Sequence, residues 1–179
     1  MRGRIGLLAL LNQVLAAVEI PVLAAGGIGT GRAMAAALAA GADGVRVGTR
    51  FVAAPEAGAH PAYVQALIAA QAQDTIYTDP PVFAVGWPDA PHRCLRASVA
   101  AAQAFQGEVV GEGVDRWSGQ RFPIQRFKAL TITETTRGAI AAMPHWAGES
   151  VDGVTKVQPA AEIVRELAGD AERLLRRWS

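Results

Sequence analysis

Residues Pro21–Phe51 read PVLAAGGIGTGRAMAAALAAGADGVRVGTRF, and their layout decides the fold. The opening run Pro21–Ala25 is apolar and uncharged, which predicts a strand buried on both faces. Four glycines follow within six positions: Gly26, Gly27, Gly29 and Gly31. The alanine-rich Arg32–Ala40 predicts a helix carrying Met34 and Leu38, closed by Gly41 at its C′ position. Gly44–Val47 predicts a second strand, which runs straight into Gly48-Thr49. The order strand, glycine turn, helix, strand, glycine turn places two sets of bare backbone N–H groups at one end of a parallel sheet.

Such an arrangement suits an anion. Without Cβ atoms, Gly26 and Gly27 let the backbone approach closely and take positive φ. The helix behind them offers unpaired N–H groups and the positive end of its dipole. Gly48 and Thr49 offer the same from the next strand, with the Thr49 hydroxyl as a further donor. In a (β/α)8 barrel the loops after strands 7 and 8 form a phosphate site of this kind. The alternative is that the glycines only make tight turns between strand and helix. A dinucleotide fingerprint fails on register: Arg32 follows Gly27-x-Gly29 where the third glycine belongs, and Met34 follows Gly29-x-Gly31. The expected acid after the second strand is replaced by Val47-Gly48-Thr49-Arg50.

Outward from this stretch, a chain of 179 residues has the size of one domain. It is 51% hydrophobic and 18% charged, a globular composition. Seventeen basic and sixteen acidic residues give a net charge of +1, which points to neither a nucleic-acid nor a membrane surface. The single Cys94 rules out a disulfide within the chain and predicts a reducing, cytoplasmic setting. Arg2 and Arg4 before Ile5–Leu11 resemble a leader, but Asn12 and Gln13 interrupt the apolar run, so an amphipathic helix is expected. No run reaches the roughly 18 apolar residues of a membrane span.

In chain order, Leu7, Leu8, Leu11, Leu15 and Val18 predict a helix over Ile5–Val18. After the Gly48 turn, Pro55 opens a helical region with Tyr63, Ala66, Leu67 and Ala70 on one face. Residues 1–73 therefore hold the βα alternation. Residues 74–179 form an irregular, partly helical extension broken by Pro80, Pro81, Pro88, Pro91, Pro123 and Pro144. Within it, helices are expected over Arg93–Phe105 and Thr135–Trp146, and a loop or hairpin over Gly107–Pro123. Pro159 is placed at N1 of a final helix whose stripe is Ile163, Leu167, Leu174, Leu175 and Trp178. Only two parallel strands are predicted, too few to close a barrel or cover both sheet faces.

Outside the glycine core the chemistry is sparse. His60, His92 and His145 are too scattered for a metal site, and no metal ligand set is expected. His60 beside Pro61 reads as a helix cap, and His92 as part of a packed turn. His145 beside Trp146 is the histidine of most interest. Cys94 reads as a small core residue within a helix. Arg46 and Arg50 leave the second strand in alternation, and each either faces a phosphate or ends in solvent.

Three segments together, Ile20–Ile28, Ala40–Val45 and Gly48–Phe51, resemble the FMN-binding barrels: nitronate monooxygenases, flavin-type enoyl-ACP reductases and, more distantly, the IMP dehydrogenase group. Glu56, His60–Tyr63, Tyr77–Asp79, Gly86–Pro88, Pro91–Arg96 and Ala147-Gly148 are similar to the nitronate monooxygenase branch. The resemblance implies the C-terminal part of a (β/α)8 TIM barrel, with residues 1–73 as its last βα units and phosphate-binding end and residues 74–179 as an irregular, partly helical extension with a closing helix. It implies FMN, its phosphate held by Gly26, Gly27, Arg46, Val47, Gly48 and Thr49. It implies a flavoprotein oxidoreductase that turns a small-molecule nitronate and O2 into a carbonyl compound and nitrite. A loop like His145–Ser150 is expected to return towards the flavin. The family's catalytic histidine lies in Gly-Gly-His-x-Gly, where Arg2-Gly3 matches the end and Met1 stands at the histidine position. No catalytic residue is therefore assigned, and a truncated chain inactive alone is expected. The alternatives are a flavin-type enoyl-ACP reductase, or a non-catalytic fragment that forms a homo-oligomer through bare strands.

Overall fold

The computed structural model describes residues 5–177, so the expectations placed on Met1, Arg2, Gly3, Arg4 and Trp178 lie outside the described residues. The glycine-rich stretch folds in the expected order of elements, but its first strand is buried on one face only, with Ala24 buried and Leu23 and Ala25 exposed, not on both faces as expected. Helix α1 (Leu7–Leu15) buries Leu11 between the half-buried Leu7 and Leu15. Strand β1 (Leu23–Ala25) follows, then helix α2 (Gly31–Ala39), then strand β2 (Gly44–Arg46). The strands pair in parallel, Leu23 with Gly44, Ala24 with Val45 and Ala25 with Arg46. Asp43 anchors the entrance to both strands. Its carboxylate accepts from Val22 N–H at 2.7 Å, and its own N–H donates to Val22 C=O at 2.9 Å.

Thr30 caps α2, its Oγ1 accepting from Ala33 N–H at 3.2 Å, and Gly41 ends the helix with φ +102°. A short helix α3 (Thr49–Val52) and a 3-10 turn (Pro55–Ala57) lead into helix α4 (Pro61–Ala69). Tyr63, Val64 and Leu67 are its buried positions. The final helix α6 (Ala160–Leu175) comes back to pack on α2, with Ile163, Leu167 and Ala171 buried.

The segment between them departs from expectation at three places. Strand β3 (Thr75–Thr78), not foreseen, pairs antiparallel with strand β4 (His92–Leu95) across the proline-rich excursion between them. Cys94 therefore lies on a strand, paired with Ile76, and the helix expected from Arg93 begins only at Arg96, as α5 (Arg96–Ala104). Pairing with Thr75–Thr78 outweighs helix propensity over His92–Leu95. Gly107–Pro123 contains a true hairpin, β5 (Val109–Val114) with β6 (Arg121–Gln125). The helix expected over Thr135–Trp146 reduces to a two-residue strand β7 (Arg137–Gly138) on β5 and a 3-10 turn (Ile140–Ala142). There Gly138 takes φ +118° within van der Waals reach of Gly111, a close approach that no helix continues through. Pro159 is the N-cap of α6, one position earlier than expected.

The main core joins α4, the β3–β4 pair, α5 and the hairpin around Tyr63, Leu67, Phe83, Ile124, Ile132 and Met143. A smaller cluster of Leu11, Ala24, Ile28, Ala37 and Ala42 lies between the β1–β2 pair and its helices. A third cluster, Ala54, Ile163 and Leu167, has Met34, Val47 and Phe51 against it and shares Met34 and Val47 with the smaller one. The fold is α/β, and among the described residues its three small sheets do not close into a barrel. The face carrying Leu23 is open, with Leu23 65% exposed and Ile20 70% exposed. No helix among the described residues is long and apolar enough to cross a membrane.

Candidate functional site

Because β1 and β2 run in parallel and in register, the turns that follow them emerge at the same end of the sheet. Gly26 and Gly27 take φ +106° and +70°, a conformation that carries almost no penalty for glycine alone. Both are exposed, and so are Arg46 and Gly48. A Cβ built on Gly27 or on Gly48 meets nothing within 4 Å, so both turns border open space. Neither the Gly27 nor the Gly48 N–H is used in a backbone hydrogen bond among the described residues.

The other glycines of the cluster have a different reason to be glycine. A Cβ on Gly29 would sit 2.5 Å from the Ser150 carbonyl oxygen, and one on Gly31 would collide with Asp170 on α6. Gly153 abuts Gly29 in the same way. The cluster thus divides by function: Gly26 and Gly27 shape an open turn, whereas Gly29 and Gly31 admit the segments that support it. Spacing alone could not separate the two uses, because the partners lie more than a hundred residues downstream.

The His145–Ser150 loop reaches both turns, through that Ser150 contact and through Gly148. Gly148 N–H donates to Thr49 Oγ1 at 3.0 Å, which leaves the Thr49 hydroxyl proton for another acceptor. His145 itself does not reach the turns. It is buried, stacked on Tyr63 with ring centroids 4.9 Å apart, with Nε2 3.2 Å from the Ile140 carbonyl. Burial, aided by the charge of His60, holds its pKa down to about 4 against the pull of that carbonyl, so it stays neutral near pH 7. His60 caps α4, its Nδ1 accepting from Ala62 N–H at 3.1 Å. His92 packs edge-on against Trp146 at 4.7 Å and beside Phe83, and burial lowers its pKa. The Cys94 thiol is fully buried and pushed up to about 11 by desolvation, so it is not a nucleophile at neutral pH. Among the described residues, no cluster of three metal-binding side chains forms.

Of the two arginines, Arg46 stands exposed at the end of β2, beside Ala25 on the open face. Arg50 turns the other way. It is only 3% exposed, and its Nη2 donates to Gln158 Oε1 at 2.9 Å and to both oxygens of Glu166 at 3.1 and 3.2 Å. The alternation out of the strand ended with β2 at Arg46, because Thr49 already opens α3 and rotates Arg50 inwards.

Two glycine turns thus stand side by side at one end of the β1–β2 pair, in a chain whose sequence is similar to known proteins. The profile of the family described as nitronate monooxygenase matches residues 1–170. A nitronate monooxygenase of Pseudomonas aeruginosa is 34% identical over 163 residues, covering 91% of this chain and 43% of that protein. A probable nitronate monooxygenase of Staphylococcus haemolyticus is 43% identical over 154 residues, covering 82% of this chain and 37% of that protein. FabK from Thermotoga maritima superposes with a TM-score of 0.68 at 28% identity, over 98% of this chain and 52% of its own. Nitroalkane oxidase from Streptomyces ansochromogenes gives 0.65 at 28%, over 98% and 46%. The chain thus spans about two-fifths of the length of these curated relatives and about half of the solved ones.

Proposed function

Starting from the fact that the chain belongs to the nitronate monooxygenase family, we propose that it carries the phosphate-binding end of an FMN-dependent oxidoreductase. The substrate class is alkyl nitronates, oxidised with O2 to a carbonyl compound and nitrite. The observation that carries this reading is the paired opening: two turns at one end of a parallel pair, with free space beyond Gly27 and Gly48. Bound FMN would supply an electron acceptor that O2 can reoxidise.

The residues present fit that group. Gly26 and Gly27 offer backbone N–H groups in a left-handed turn, a concavity suited to an anion. Gly48 and Thr49 add backbone donors and a hydroxyl, with Val47 packed behind them and Arg46 at the rim. Thr49 is held by Gly148 and the Gly29 end by Ser150, so the cradle is preorganised. His60, His92 and His145 are engaged as a cap or within the core, and no catalytic base is assigned among them. The part of the chain up to residue 73 is read as the last βα units of a TIM-barrel-type fold, and residues 74–179 as its irregular extension and closing helix.

The test is a titration of FMN into the purified chain, followed by flavin fluorescence, with riboflavin as the comparator that lacks the phosphate. FMN is expected to bind at least about tenfold more tightly, the phosphate adding charge-assisted hydrogen bonds. Gly48→Ala should weaken that preference with little loss of thermal stability, because its Cβ meets open space. Equal binding of the two flavins would overturn the assignment. A flavin-type enoyl-ACP reductase, the second reading, would instead oxidise NAD(P)H with an enoyl thioester. The curated relatives' names favour the first.

A further inference from the structure

Arg50 has a bulky charged side chain almost wholly removed from water, immediately after the Gly48-Thr49 turn, yet it points away from the opening. We infer that Arg50, through Gln158 and Glu166, is a positioning residue that sets the Gly48-Thr49 turn for a phosphoryl group. The inference rests on the proposed FMN site and names a residue outside the cradle.

Three contacts make Arg50 a clamp rather than a simple ion pair. Its Nη2 reaches Gln158 Oε1 at 2.9 Å and both Glu166 oxygens at 3.1 and 3.2 Å. Gln158 Nε2 in turn donates to Glu166 Oε2 at 3.0 Å, closing a triangle of side chains. Gln158 is itself buried, and its backbone N–H lies 3.4 Å from the Ala53 carbonyl, at the end of α3. Both ends of this four-residue helix are therefore tied to the segment that enters α6. A helix this short has little stability of its own, so its orientation comes from such ties.

The second tether acts on the adjacent residue. Gly148 N–H donates to Thr49 Oγ1 at 3.0 Å, from the 148–153 loop. The Gly48-Thr49 amides are thus suspended between the 148–153 loop and α6. A buried guanidinium is costly to desolvate, and Arg50 Nε has no partner among the described residues. Apolar side chains in place of the whole cluster would avoid that cost, so the arginine serves geometry more than stability.

The test compares FMN and riboflavin affinity in the wild type, Arg50→Met, Arg50→Lys and Glu166→Gln, by flavin fluorescence. Arg50→Met should lose roughly tenfold in FMN affinity, as supporting residues around bound groups commonly do, with riboflavin affinity nearly unchanged. Glu166→Gln keeps the shape of its partly exposed side chain and so guards against misfolding. It should lose about threefold, a part of that same effect. Arg50→Lys, which restores charge but not the planar fork, should recover the loss only in part. Equal loss for both flavins, or no loss in either Arg50→Met or Glu166→Gln, overturns the positioning role. If the wild type itself shows no preference for FMN, the proposed function fails first and this inference with it.

Discussion

Two regions of this molecule bury their apolar residues to very different extents. The main core between Ala53 and Val154 encloses Phe83, Leu67, Ile132, Met143 and Val151 to 0% exposure. The β1–β2 unit, by contrast, has a small cluster in which alanines fill three of the five buried positions, and it leaves Leu8, Ile20 and Leu23 at least half exposed. A two-stranded parallel sheet with helices on one side has no means of covering its other face. The region that carries the candidate site is therefore the less self-sufficient one. The region with no assigned chemistry is the better packed.

The sharpest way to break this contrast is a pair of truncations. Phe83→Ala should destabilise the fold by about 3–5 kcal/mol, whereas Leu23→Ala should change it by less than about 0.5 kcal/mol. Denaturant unfolding of both variants measures the difference, and similar losses would mean that the β1–β2 face is covered after all.

Next in size is a pH dependence confined to the packed core. Burial keeps His145 neutral, with its pKa held down to about 4 against an ordinary value of 6.5. Below about pH 6.5 the unfolded chain takes up a proton that the folded one refuses. Stability should therefore fall between about pH 6.5 and pH 4, by up to about 3 kcal/mol from this group, and level off below. His145→Phe, which keeps a ring against Tyr63, should lose that component. An unchanged pH profile of unfolding would place the acid sensitivity elsewhere.

The glycines sharpen the contrast inside the site region. Gly29→Ala forces a Cβ against the Ser150 carbonyl and should cost about 1–3 kcal/mol in thermal unfolding, well above the cost of Gly48→Ala, whose Cβ meets open space. Smaller again is the tie between the regions at the start of α6. Glu56 accepts from Ala160 N–H at 3.1 and 3.2 Å, from outside the helix, as a capping carboxylate does. Glu56→Ala should cost about 1 kcal/mol, with hydrogen exchange faster in the first turn of α6 and unchanged in β3.

How far the residues alone could lead depended on where each one's partners lay. The β1–α2–β2 unit was legible because its signals are local: an apolar run, a glycine turn, a helix of alanines and a second run, all within thirty-one residues. His60 was legible as a cap for the same reason. The β3–β4 pairing was not, because Thr75–Thr78 gains its strand character from His92–Leu95, fourteen or more residues away. Nor was the helix expected over Thr135–Trp146 detectably wrong, since Gly138 fits against Gly111 only once β5 is in place.

The sequence by itself determined that two glycine-ended parallel strands stand side by side, for backbone conformation and hydrophobic period are short-range properties. Only the tertiary structure decided which glycines face open space, which way Arg50 turns and that His145 belongs to the core. Each of those depends on a chain segment brought in from about a hundred residues away or, for His145, on the ring of Tyr63, and no local pattern encodes what a distant segment will touch.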